Sequence, residues 1–147
     1  MPAAAARALA LLLWATTLML PTPATAESPA PDLTAASAAA QVQRGQVIVA
    51  SVCVACHSLD DHRTGPALRG VLGRVAGTAA GFEGYSPALR SSGASGQRWT
   101  AARLRAWLTD PEALVPGQAM GFSLSEASDR DAVLAYLASL SPPHAGR

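Results

Sequence analysis

The sequence predicts a small all-α domain, and three observations carry that reading. Apolar residues recur at three- and four-residue spacing in three separate stretches, the mark of one helical face. No segment alternates apolar and polar residues at strand period. Eight of the twelve glycines fall between positions 64 and 98, which reads as one long irregular connection rather than further regular elements.

The chain begins with a leader. Arg7 supplies a short positive region, residues 8–20 ("ALALLLWATTLML") are apolar, Pro21 and Pro23 break the run, and "ATA" at 24–26 offers small residues for cleavage. A membrane-spanning helix needs about 20 apolar residues. The thirteen here favour a cleaved secretory signal over an uncleaved anchor. Cleavage after Ala26 leaves 121 of the 147 residues. Residues 27–38 are rich in Pro, Ala and Ser and read as a linker. A single domain follows over 39–141, with a short tail at 142–147.

The first helix is expected over 36–55, with Val42, Gly45, Val49, Val52 or Cys53, and Cys56 on its apolar stripe. A glycine within a helix costs about 1 kcal/mol against alanine, so Gly45 points to close contact with another helix. The second runs from Thr100, its N-cap, to Thr109; Leu104, Trp107 and Leu108 form its apolar face, and Pro111 ends it. The third is expected over 129–140. Ser128 caps it, Asp131 completes an S-x-x-D start, Val133, Tyr136, Leu137 and Leu140 form the stripe, and Pro142 and Pro143 stop it.

Composition excludes some functions. After the leader the chain holds no lysine, ten arginines and ten acidic residues, a formal balance of zero. Nucleic-acid binders are usually strongly basic, so none is expected as a partner. Only six aromatics remain, and so small a domain often needs a staple or cofactor to complete its core. The glycine-rich connection is long enough to wrap one bulky flat group.

The chemistry concentrates in "CVACH", residues 53–57, which holds both cysteines of the chain. Zinc would want four protein ligands. Beyond this motif there are only His62 in a polar stretch and His144 in the Pro-rich tail. A dithiol redox site would sit in a βαβ unit, whereas this motif ends an amphipathic helix. The remaining reading is covalent haem, with thioethers from Cys53 and Cys56 and an iron ligand in the adjacent His57. An electron-transfer haem commonly adds a methionine. After the leader there is one, Met120, following a Pro116–Gly117 turn; its bland reading is core filler.

In order along the chain stand "CVACH", "TGPALRGVLGR", "GFEGYSPAL", Trp99, "LRAWLTDP", "VPGQAM" and "VLAYL". This series, spanning about 41–140, resembles the class I c-type cytochromes, the mitochondrial type and its soluble bacterial relatives. The resemblance implies the small cytochrome c fold, with crossed first and last helices, a middle helix, and glycine-rich loops wrapping one covalent haem c. It implies His57 and Met120 as axial ligands, and a Pro66 carbonyl that accepts from His57 Nδ1–H. Arg74, Tyr85 and Trp99 would face the haem propionates, and Phe122 the exposed haem edge. Gly45 and Val49 would pack on Val133 and Tyr136. The implied function is that of a periplasmic single-electron carrier, monomeric and not an enzyme, exchanging electrons with redox proteins and not inserted in the membrane once the leader is removed. A dedicated cytochrome subunit of a periplasmic dehydrogenase or oxidase is the alternative, and an open iron reacting with peroxide a more distant one. Four departures stand out. "GFEGYS" is one residue longer than the common form, Trp107 replaces a frequent tyrosine, Gln118 a frequent threonine, and the lysines used for docking are missing.

Overall fold

The computed structural model describes residues 33–141. The leader, the first part of the linker, Pro142, Pro143 and His144 lie outside the described residues. Within them five helices follow one another: α1 (Leu33–Ser51), α2 (Pro87–Ala94), α3 (Ala101–Thr109), α4 (Pro111–Leu114) and α5 (Ala127–Ser139), with a 3₁₀ turn at Cys53–Ala55. No strand occurs among the described residues; Val75 and Arg98 make one isolated antiparallel bridge.

α1 and α5 pack closely, and Gly45 is where they touch. A Cβ on Gly45 would overlap the Ala132 carbonyl and stand 2.8 Å from Tyr136 Cβ. Val49 and Val133 are buried in the same core, 3% and 2% exposed. Small residues let helix backbones approach, and the apolar side chains around them close the contact. At the N-terminal end of α5 the exposed Arg44 pairs with Asp129.

Two of the expected helices have their boundaries corrected. The first helix does not run to 55: it starts earlier, at Leu33, inside the stretch read as linker, and ends at Ser51. Ser51 Oγ donates to the carbonyls of Val47 (2.8 Å) and Ile48 (3.3 Å). Such back-bonding bends helices. The chain then tightens, and the Cys53 carbonyl accepts from both Cys56 N–H (3.1 Å) and His57 N–H (2.9 Å). The last helix begins at Ala127, so Ser128 lies inside it and caps nothing. Asp131 serves a different end, accepting from Arg105 Nε of α3 at 2.8 Å.

Thr100 does cap α3, its hydroxyl accepting from Arg103 N–H at 3.1 Å. Pro111 both ends α3 and opens α4, where Asp110 accepts from Ala113 N–H at 3.0 Å. The glycine-rich stretch hides a helix the periodicity misses. In α2 the Ser86 hydroxyl caps Leu89 N–H at 3.2 Å and Pro87 takes the first position, a favoured start. The rest of the stretch is tied down by Ala76 N–H to the Gln97 carbonyl (2.8 Å) and Trp99 N–H to the Arg74 carbonyl (2.9 Å).

Candidate haem site

These elements enclose a cavity of about 430 Å³. Its wall draws Val49, Cys53, Cys56 and His57 from the end of α1 and the turn beyond it. Pro66, Leu68, Val71, Arg74 and Tyr85 come from the long loop, Leu89 from α2, and Trp99, Leu104 and Trp107 from α3 and the residues before it. Met120, Phe122, Val133 and Leu137 complete the wall. Every cofactor-contacting residue expected from the sequence therefore faces one space.

Cys53 and Cys56 form no disulfide. The tight turn stacks residues three apart. Cys53 is half-buried and Cys56 exposed, and burial pushes the Cys53 thiol above its ordinary range. His57 Nδ1 lies 2.7 Å from the Pro66 carbonyl oxygen. A carbonyl only accepts, so Nδ1 carries a proton, and in the neutral ring the lone pair is then on Nε2. The ring lies against Gly65, where a Cβ would stand 2.6 Å from Nδ1 and 2.8 Å from Nε2. Gly65 N–H in turn donates to the Cys56 carbonyl at 2.7 Å. The loop that supplies Pro66 is thereby stitched to the cysteine motif.

Met120 is not loose core filler. Trp107 Nε1–H donates to Met120 Sδ at 3.2 Å, and Met120 N–H donates to the Gln118 side-chain carbonyl. Glu112 of α4 anchors the turn, accepting from Gly117 N–H at 2.8 Å. Sulfur has two lone pairs, so the indole occupies one and leaves one for a metal. Two of the four departures from the family pattern, Trp107 and Gln118, are the residues that hold Met120.

Besides Thr64 and Ser86, three further polar side chains stand on the mostly apolar wall. Arg74 gives one Nη to the Ala67 carbonyl (3.0 Å) and the other to the Arg69 carbonyl (2.5 Å), both neutral acceptors. Its charge therefore has no carboxylate partner among the described residues. The Tyr85 hydroxyl oxygen accepts from Ala79 N–H at 3.1 Å, so its own hydrogen is left to donate. Trp99, stacked edge-on to Trp107 at 5.2 Å, has no acceptor for its indole N–H among the described residues. One uncompensated cation and two spare donors on an apolar wall suit a ligand that is flat and greasy with carboxylate arms. Haem meets that description, and the two thiols and the His57 lone pair fit its vinyls and iron. Zinc fares worse: no three His, Cys, Asp or Glu side chains gather among the described residues.

Sequence reasoning missed two residues here. Glu112 gave no signal beyond its place after Pro111. His62, read as a surface side chain, is indeed exposed, but it bonds on both sides of its ring: Ala67 N–H donates to Nδ1 (3.0 Å), and Nε2 lies 2.8 Å from the Ala80 carbonyl.

Residues 42–141 match the family model for cytochrome c. Among curated proteins, the chain is 40% identical over 123 residues to a cytochrome c2 of Rhodopseudomonas palustris, covering 74% of this chain and 88% of that one. A second cytochrome c2 of that species is 44% identical over 102 residues, covering 60% and 89%. Among solved structures, the ferricytochrome c2 of Rhodopseudomonas palustris superposes with a TM-score of 0.63 at 38% identity, over 68% of this chain and 98% of that one. Cytochrome cH from Methylobacterium extorquens gives 0.60 at 37% identity, over 67% and 97%. Motif order, helical architecture and these likenesses agree: the chain belongs to the cytochrome c family, whose members carry one covalent haem c.

Proposed function

We propose that the chain is a periplasmic single-electron carrier, not an enzyme, with its haem c held by thioethers from Cys53 and Cys56 and its iron ligated by His57 and Met120. The observation that carries this is the convergence of the C-x-x-C-H motif and an already positioned methionine on one apolar cavity. Bound there, the haem supplies a one-electron ferrous–ferric couple. The protein does the rest. Pro66 fixes the His57 tautomer and strengthens it as a donor. Trp107 and Gln118 aim Met120. Arg74, Tyr85 and Trp99 receive the propionates. The apolar wall excludes water, so a change of one charge reorients few dipoles. Phe122, 40% exposed beside the cavity, marks the rim where a redox protein approaches.

The zero charge balance supports docking with little long-range steering. No helix of the described residues is long and apolar enough to cross a membrane. In this reading the leader is removed after Ala26 and the protein travels as a monomer. The test is direct. Protein purified from a periplasmic extract should stain for haem on a denaturing gel and begin at Glu27 by intact mass. Absence of covalent haem would overturn the cofactor assignment. Retention of residues 1–26, or co-elution with a dehydrogenase or oxidase at high salt, would overturn the free carrier.

A further inference from the structure

Two histidines bond to opposite ends of one peptide group. His57 Nδ1–H donates to the carbonyl of Pro66 at 2.7 Å, and the N–H of that same peptide, on Ala67, donates to His62 Nδ1 at 3.0 Å. The roles are unambiguous from the partners. An amide N–H requires His62 Nδ1 to accept, and the Ala80 carbonyl 2.8 Å from Nε2 requires that nitrogen to donate. His62 is also braced by Phe82, whose ring lies 5.4 Å away and packs edge-on against Tyr85 at 4.8 Å.

We propose that His62 is a positioning residue that acts electronically on His57 through the 66–67 peptide. Resonance couples the two ends of a peptide group, so an acceptor on its N–H moves electron density to its oxygen. Hydrogen bonds in series strengthen one another by about 10–30% each. A more basic Pro66 oxygen draws harder on His57 Nδ1–H, and the imidazole becomes a better donor at Nε2. A better donor favours the ferric state over the ferrous and lowers the reduction potential. This rests on the reading of His57 as an iron ligand.

The two nitrogens of His62 can be replaced separately. In His62→Asn the side-chain oxygen reaches the Nδ1 position and keeps the acceptor for Ala67, but the link to Ala80 is lost. In His62→Gln the side-chain amide reaches the Nε2 position and keeps the donor to Ala80, but the acceptor for Ala67 is lost. His62→Ala loses both. Haem-loaded full-length protein is titrated spectroelectrochemically, and the His57 Nδ1–H resonance is followed by NMR.

The expected result is a higher potential in His62→Gln and His62→Ala. A two- to threefold shift in the ferric-to-ferrous preference is about 18–28 mV at ~59 mV per tenfold for one electron. The His57 ring proton should move upfield in both, while His62→Asn stays within half that shift. The inference is overturned if His62→Gln keeps the wild-type potential, or if Asn and Gln shift equally, which would mark His62 as a mechanical pin between loops. Should His62→Gln fail to load haem, Asn against Ala decides the same point. His57→Ala separates the two ideas. If it retains the wild-type spectrum the ligand reading falls, whereas a lost ligand spectrum with an unmoved His62→Gln potential sinks the relay alone.

Discussion

Replacing Gly45 by alanine sets two effects of opposite sign against each other. In an isolated helix the change stabilises by about 1 kcal/mol, because alanine is the better helix former. In this structure the new methyl overlaps the Ala132 carbonyl oxygen and stands 2.8 Å from Tyr136 Cβ. Neither neighbour can rotate away, since one is backbone and the other is the first side-chain atom of a buried residue. Relief requires α1 to withdraw from α5, which loosens the packing of Val49 against Val133. Overpacking of this kind costs about 1–3 kcal/mol and sometimes more. Because the overlap is with rigid backbone, the upper part of that range, about 2–3 kcal/mol, applies, and about 1–2 kcal/mol of destabilisation remains after the helix gain. At about 4–8 °C per kcal/mol for a domain of this size, the midpoint falls by several degrees or more. Urea unfolding of the haem-loaded protein, followed by far-UV circular dichroism, measures it. A Gly45→Ala variant that is more stable than wild type would refute the close α1–α5 contact.

Further predictions follow from the cavity wall and the surface. Trp107→Phe removes the one donor on Met120 Sδ among the described residues while keeping an aromatic ring, so the thioether should give more to ferric iron. The potential should fall by an amount on the order of one hydrogen bond, about 0.5–1.5 kcal/mol, and Trp107→Tyr should recover part of it in the same redox titration. Gly65→Ala places a methyl in the space of the His57 ring, and should sharply lower haem loading, read from the Soret-to-protein absorbance ratio. Asp60 is held below the usual carboxylate range by its hydrogen bond to Arg69 (2.5 Å), with their charge attraction adding to it. A carboxyl depressed in the folded state stabilises above its unfolded pKa, near 4, and loses that contribution as pH falls through its folded value. The stability gap between wild type and Asp60→Asn should thus be present at pH 6 and close toward pH 3 in urea titrations. The exposed Arg44–Asp129 pair should matter little, with Arg44→Gln changing stability by less than about 1 kcal/mol.

The helices legible in the sequence are those with enough turns to repeat a stripe. Val133, Tyr136 and Leu137 announce α5, and Leu104 with Trp107 announces α3, because each buries a face several residues long. α2 escaped because its buried face is only Leu89 and Gly93, too short for a period to emerge. Its true signal was the cap, Ser86 followed by Pro87. Ser128 looked like a cap and is not, since a local S-x-x-D pattern cannot reveal that Asp131 has a partner on α3. The cofactor site was legible for a different reason. Cys53, Cys56 and His57 stand in one short motif and line one cavity, and Met120 stood out by its isolation. The bonds from Trp107 and Gln118 to Met120, and from His62 to Ala67, join segments through tertiary folding, and no spacing rule encodes them.

The measurement that bears most directly on the central claim is the ferric absorption spectrum of the haem-loaded protein, compared with Met120→Ala. The account predicts a sulfur-to-iron charge-transfer band in the wild type, lost on removal of the Met120 thioether while the covalent haem stays attached. A wild-type spectrum without that band, or one in which the band survives Met120→Ala, would contradict the assignment of Met120 and with it the account of how this cavity carries an electron.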